Sequence, residues 1–227
     1  MRKLPPDDLS HVDAWVFDLD NTLYDAETHI FVEVGRKMTD FVASHLNLPR
    51  DAADAKRKHF FHTYGTTLRG LMTEHNVAPE YFLRHVHDVD IKVVPPCAIT
   101  QEYLAHLPGK KYVFTNAPRN FAQDMVSHLG IAHHFDGLFA IEDADYWPKP
   151  KVDSYHAFLK KYGVNAKNAC MFEDMEVNLR TAHDLGMKTV WFHGKDVKPE
   201  DLNHPHTHHK AEKLSDWLVQ NVTQRGK

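Results

Sequence analysis

Five short apolar runs punctuate the chain, at 14–18, 111–115, 136–141, 169–173 and 188–192. Each is short enough for a strand and apolar enough to be buried on both faces. Helical patterns fill the intervals near 97–107, 119–129, 152–162 and 176–185. Strands alternating with helices imply a mostly parallel sheet covered on both sides, a doubly wound α/β fold of Rossmann-like type. Ligands of such sheets bind beyond the carboxyl ends of the strands. The segment 25–94 breaks the alternation. It holds no strand pattern, only helical patterns at 28–46, 51–63, 66–75 and 79–88, punctuated by Pro49, Gly65 and Pro79. It reads as an α-helical cap domain of residues 25–94 inserted after the first strand. Residues 1–24 and 95–227 then form the core, with Pro95-Pro96 marking the return.

Charged residues at the strand ends change this picture from a fold to a site. The run Ala14-Trp15-Val16-Phe17 leads into Asp18-Leu19-Asp20-Asn21-Thr22. Two carboxylates two residues apart at the end of a buried strand raise each other's pKa, and neither can be buried without a partner. A divalent cation offsets that cost, and one carboxylate can then serve as a nucleophile. Three more clusters follow in order. Tyr112-Val113-Phe114 ends in Thr115-Asn116, Lys149 lies in Trp147-Pro148-Lys149-Pro150, and Cys170-Met171-Phe172 ends in Glu173-Asp174. The order is acid pair, hydroxyl, lysine, acid pair.

In that order the chain resembles the haloacid dehalogenase (HAD) superfamily of phosphohydrolases, over roughly Ala14 to His193. The resemblance implies that Asp18 attacks phosphorus to give an aspartyl-phosphate. Asp20 would protonate the leaving oxygen and later activate water. The dehalogenases lack this second aspartate, so Asp20 favours phosphate chemistry. Lys149 would neutralise transition-state charge, and it matches the family's Lys-Pro pattern better than Lys151 does. The implied metal is Mg²⁺, held by Asp18, by Asp20 through its backbone carbonyl, and by Asp174. Glu173 would orient a metal-bound water. Thr115 and the Asn116 N–H would receive the phosphoryl oxygens. The helix after Pro118 would point its N-terminus at the same anion. Thr22 and Asn178 would support the two loops.

Three stretches narrow the resemblance to the pyrimidine 5′-nucleotidase branch: Asp18 to Tyr24, Tyr64-Gly65-Thr66-Thr67-Leu68-Arg69-Gly70-Leu71, and Phe114-Thr115-Asn116-Ala117. The implied substrates are nucleoside monophosphates such as UMP and CMP. Tyr64 could stack on a base, Arg69 could reach a polar edge, and Tyr24 could line the entrance. Gly65 and Gly70 either bracket a flexible substrate loop or end one helix and allow close packing of the next. The alternatives are a phosphatase for phosphoglycolate or a sugar phosphate, a mutase, and a ligand-binding module on a retired HAD scaffold.

Composition adds exclusions. The 227 residues, 42% of them hydrophobic, suffice for a core. A formal charge of -4 argues against nucleic-acid binding. No apolar stretch approaches the roughly 18 residues of a membrane span. The first eight residues lack the apolar stretch of a secretory leader, so the cytoplasm is the expected location. A monomer or homodimer is expected. Cys170 falls in a predicted core strand and reads as a buried free thiol. Nineteen histidines are a heavy load. The densest cluster, His204-Pro205-His206-Thr207-His208-His209, reads as an exposed loop that could bind zinc or nickel adventitiously, rather than as a functional metal site.

Overall fold

Side-chain alternation along the first strand decides how the molecule is layered. In β1 (Ala14–Phe17), Trp15 and Phe17 enter one apolar cluster while Ala14 and Val16 enter another on the opposite face. All four are buried, so β1 lies at the centre of the sheet. The computed structural model describes residues 9–26, 30–194, 197–198 and 202–222. The leader reading of residues 1–8 lies outside these.

The sheet is six-stranded and parallel throughout. Its other strands are β2 (Lys110–Phe114), β3 (Gly137–Phe139), β4 (Ala169–Glu173), β5 (Lys188–Phe192) and β6 (His209–Ala211). The order is β3-β2-β1-β4-β5-β6. The chain runs outward from β1 through β2 to β3, then returns to β4 on the other side of β1. The order therefore reverses between β1 and β4, and a crevice opens there at their carboxyl ends. Phe17 and Phe172 stack across this pair at 4.5 Å, and Asp18 N–H donates to Phe172 O at 2.9 Å. Both acid pairs are thus locked to one register.

Among the described residues, five helices accompany the sheet: α5 (Ala98–Leu104), α6 (Arg119–His128), α7 (Val152–Tyr162), α8 (Glu176–Asp184) and α9 (Leu214–Asn221). Trp217 of α9 is buried edge-on against Phe172. Cys170 is buried and, among the described residues, forms no disulfide. Among the described residues, no helix is long and apolar enough to cross a membrane. The expected strand at 136–141 is shorter, because the chain passes into a 3-10 turn at Ile141–Ala144. β6 was not expected. Its sequence, His-Lys-Ala, carries no apolar run, since it pairs only with β5 at the sheet edge. The turn before it is not wholly exposed: His206 is buried, and its carbonyl accepts from Thr189 Oγ1 of β5 at 2.7 Å.

Between β1 and α5 come α1 (Ile30–Leu46), α2 (Arg50–Tyr64), α3 (Thr67–His75) and α4 (Pro79–Val86). They share an apolar cluster that includes Phe41, Phe60, Leu71 and Phe82, and that also takes in Ile141 from the sheet side. Gly65 ends α2 in the left-handed conformation at φ 86°, as a helix C-terminus often requires. Gly70 sits inside α3, where an added Cβ would lie 2.4 Å from the Phe60 ring. The packing explanation of these two glycines holds, and residues 67–70 are helix rather than flexible loop.

Gly70→Ala should destabilise the protein. Overpacking against a buried ring costs about 1–3 kcal/mol, more than the ~1 kcal/mol that alanine gains in helix propensity. Gly35→Ala in α1, where nothing lies within 4 Å, should be neutral or stabilising. Urea unfolding of both variants checks the contrast.

Candidate active site

Lys149 is the centre of the site. Its ammonium donates to Asp18 Oδ1 at 2.6 Å, Glu173 Oε2 at 2.7 Å and Phe114 O at 2.9 Å. Three strands therefore meet through one side chain: β1 through Asp18, β2 through a main-chain carbonyl, and β4 through Glu173. All three donors of the ammonium are satisfied, which is what lets a lysine be buried. Burial alone would strip its proton, but the charges of Asp18 and Glu173 outweigh that and hold its pKa above the ordinary lysine value. Lys151, the competing residue, is exposed and sits at the start of α7.

Asn116 fixes the loop that carries this lysine. Its amide nitrogen donates to Lys149 O at 3.2 Å, and its amide oxygen accepts from Lys149 N–H at 2.8 Å. Thr115 is buried, and its hydroxyl oxygen accepts from Ala117 N–H at 2.9 Å. That leaves the hydroxyl proton for another acceptor. The N-terminus of α6, expected to face an anion, carries an internal partner. The Glu142 carboxylate occupies it, accepting from Arg119 N–H at 3.0 and 3.1 Å.

The carboxylates crowd one another. Burial, then the Glu173 charge, raise the Asp18 pKa to about 7, against the pull of Lys149. Asp20 rises to about 7 through burial and the Asp18 charge. Burial likewise lifts Glu173 to about 7 and Asp174 to about 6. One lysine does not neutralise this group. Asp18, Glu173 and Asp174 each place an oxygen within 4.8 Å of the others, an all-oxygen donor set that suits a hard cation such as Mg²⁺. The Asp20 side chain is not in that trio. It instead accepts a hydrogen bond from the Tyr24 hydroxyl, so Tyr24 holds the general-acid candidate. Thr22 is buried with an unpartnered hydroxyl, and Asn178 is buried with an unpartnered amide oxygen.

Asn21 has a role that the motif reading missed. It adopts φ 57°, a left-handed conformation that asparagine tolerates. Its amide donates to Asp174 Oδ2 at 3.2 Å and its oxygen accepts from Ala26 N–H at 2.9 Å. It ties the first acid pair to the last. Trp191 does the same from β5, donating its indole N–H to Asp174 O at 2.8 Å. An asparagine directly after Asp-x-Asp was the available signal; Trp191 gave none, because its partner is a main-chain oxygen.

Above the cluster lies a cavity of about 700 Å³. Asp18, Asp20, Thr115, Asn116, Lys149, Glu173, Asp174 and Asn178 line its floor. Phe31, Val34, Phe61, Leu68, Phe82 and Phe121 are among the apolar residues that build its wall. Tyr64 and Arg69 do not line it. Tyr64 donates its hydroxyl to Glu74 Oε1 at 3.0 Å. The Arg69 guanidinium lies 3.5 Å over the Trp147 ring. That stacking, with Tyr146 donating to Glu80 at 2.9 Å, joins the helical segment to the loop preceding Lys149.

Comparison with known proteins agrees with this arrangement. Residues 15–192 match the family described as haloacid dehalogenase-like hydrolase. The chain is 26% identical over 217 residues to phosphate metabolism protein 8 of Saccharomyces cerevisiae, covering 88% of this chain and 67% of that protein. It is 25% identical over 130 residues to 6-phosphogluconate phosphatase of Escherichia coli, covering 57% of this chain and 56% of that enzyme. The fold is similar to that of a HAD phosphatase from Thermococcus onnurineus, with a TM-score of 0.63, 16% identity, and coverage of 93% and 99% of the two chains. The family match runs from β1 to the end of β5, the whole span that assembles the lysine and its carboxylates, and this chain therefore belongs to the haloacid dehalogenase-like hydrolases.

Proposed function

We propose that the protein is a Mg²⁺-dependent phosphomonoesterase acting on nucleoside monophosphates, with pyrimidine 5′-nucleotides such as UMP and CMP as substrates. The observation that carries the chemistry is the buried Lys149 shared by Asp18 and Glu173 at the floor of the cavity. Asp18 is the nucleophile. With Lys149 against one oxygen, the other is left to attack phosphorus in line and form the aspartyl-phosphate. Asp20, with a pKa near neutrality, gives its proton to the leaving oxygen and takes one from the hydrolytic water. Tyr24 fixes its orientation. The Thr115 hydroxyl and the Asn116 N–H hold the non-bridging oxygens, and Lys149 balances their growing charge. Asp18, the Asp20 carbonyl and Asp174 are the metal ligands, with Glu173, Thr22 and Asn178 behind them. Bound there, Mg²⁺ supplies charge neutralisation at the phosphoryl group.

The cavity wall supports the substrate class. A sugar phosphate brings many hydroxyls that need partners, and burying them against phenylalanines is unfavourable. A planar base offers an apolar face and only a few polar edges, which suits this wall. The four helices of residues 25–94 act as the cap that closes over the base. The named function of the E. coli relative, a 6-phosphogluconate phosphatase, keeps a sugar phosphate as the second reading.

A panel of phosphate esters, assayed with Mg²⁺ and with EDTA, tests this. Release should require the metal and be fastest from UMP or CMP; faster release from 6-phosphogluconate would overturn the substrate and keep the chemistry. Asp18→Asn should fold and lose activity by more than about 10³-fold. Metal binding should also depend on pH. The raised carboxyls bind protons more tightly in the folded chain than in the unfolded one. Metal-free stability therefore falls as pH rises from about 4 to about 7. A cation displaces those protons, so the increase in Tm on adding Mg²⁺ should grow across the same window. An increase that is constant from pH 5 to 8 would contradict the assignment of these groups.

A further inference from the structure

The histidine-rich turn before β6 holds a second cluster of ligand atoms that the phosphate chemistry does not use. His206 is only 5% exposed. Its Nε2 is in ion-pair contact with Glu176 Oε1. His204 Nδ1 lies 3.7 Å from the same carboxylate oxygen. One ligand atom from each of the three residues falls within 4.8 Å of the others. The Trp191 ring, 5.2 Å from His204, shields one side. A further imidazole, His183, stands 6.4 Å from His206, ring to ring.

The backbone that carries these side chains is held in place. Thr189 Oγ1 donates to His206 O and accepts from His208 N–H at 3.1 Å. Thr207 donates both its main-chain N–H and its hydroxyl to His204 O, at 3.1 and 2.9 Å. Glu176 lies in the first turn of α8. The buried His206 imidazole packed against Glu176 places a nitrogen donor and an oxygen donor side by side. Two imidazoles and one carboxylate are also a recurring ligand set for zinc, with the fourth position open.

We propose that Glu176, His204 and His206 form a second metal site, selective for a borderline-soft divalent cation of the zinc class. Nitrogen donors separate it from the all-oxygen cluster of Asp18, Glu173 and Asp174, which suits Mg²⁺. Arg180 Nη2 now donates to Glu176 Oε1 at 3.0 Å. Its side chain is 59% exposed, and an exposed ion pair of this kind is weak, so it yields to the cation. The fourth position takes water or His183. A cation held there ties residues 204–206 to the start of α8, directly after Asp174 and Met175. The inference is independent of the phosphatase reading.

The test is titration of the metal-free full-length chain with Co²⁺ as a zinc surrogate, in saturating Mg²⁺, followed by visible absorption. One equivalent of Co²⁺ should bind with the bands of a low-coordinate nitrogen and oxygen site, and Zn²⁺ should displace it. His204→Ala, a change at a half-exposed side chain, should weaken binding at least about tenfold. Glu176→Gln should weaken it as well, while Asp18→Asn should leave it unchanged. Absence of a stoichiometric Co²⁺ site overturns the proposal. So does wild-type affinity in both His204→Ala and Glu176→Gln, which would place the ion on other histidines. Loss of the site in Asp18→Asn would place it on the carboxylate cluster and overturn the proposal equally.

Discussion

The Lys149 ammonium, shared by two buried carboxylates and one main-chain carbonyl, is the interaction on which the rest of the site depends. Removing it would leave Asp18 and Glu173 facing each other at the end of two adjacent strands with no counter-charge. The sheet supplies the geometry that makes the contact possible. β1 and β4 are neighbours at the point where strand order reverses, so their carboxyl ends open a crevice. The aromatic stack of Phe17 on Phe172 fixes their register. Asn116 then holds the lysine's own backbone from both sides. One positive charge is still too few for four crowded carboxyls, and each of them is raised towards neutrality. A divalent cation held by Asp18, Glu173 and Asp174 would offset that residual deficit.

Much of this could be read along the chain, because the core signals are local. Strands buried on both faces announce themselves as continuous apolar runs, and charges at their ends are conspicuous by contrast. Asp18, Asp20, Thr115, Glu173 and Asp174 were found at strand ends in that way, Lys149 by its Lys-Pro pattern, and the structure brings them together. What escaped reading depends on partners distant in sequence. β6 has no apolar run because it borders a single strand. Asn21 and Trp191 act on Asp174 across more than 150 and about 17 positions respectively. The Glu142 carboxylate takes the helix end expected to face an anion. Tyr64 and Arg69, chosen as substrate contacts, are engaged by Glu74 and Trp147 instead, pairings that helix periodicity cannot reveal. The histidine cluster was read from composition as a free loop, but Thr189 and Glu176 draw it against the protein.

Two divisions of labour follow. The sheet edge supplies the charged side chains, while the helical segment supplies an apolar wall. That wall is joined to the loop before Lys149 through Arg69 on Trp147 and Glu80 on Tyr146. The helical segment and the loop that carries the lysine are therefore in direct contact. The second division is between donor sets: carboxylate oxygens beneath the cavity, and the imidazoles of His204 and His206 beside Glu176 at the start of α8.

The central claim, that Lys149 compensates two buried carboxylates, is tested most directly by a double-mutant cycle on metal-free protein at pH 8. Lys149→Met should cost about 3–5 kcal/mol of unfolding free energy, because it strands buried charge. Adding Glu173→Gln should recover a substantial part of that loss. A single variant that loses less than about 1 kcal/mol, the range of an exposed ion pair, or a double variant no more stable than the single one, would contradict the account.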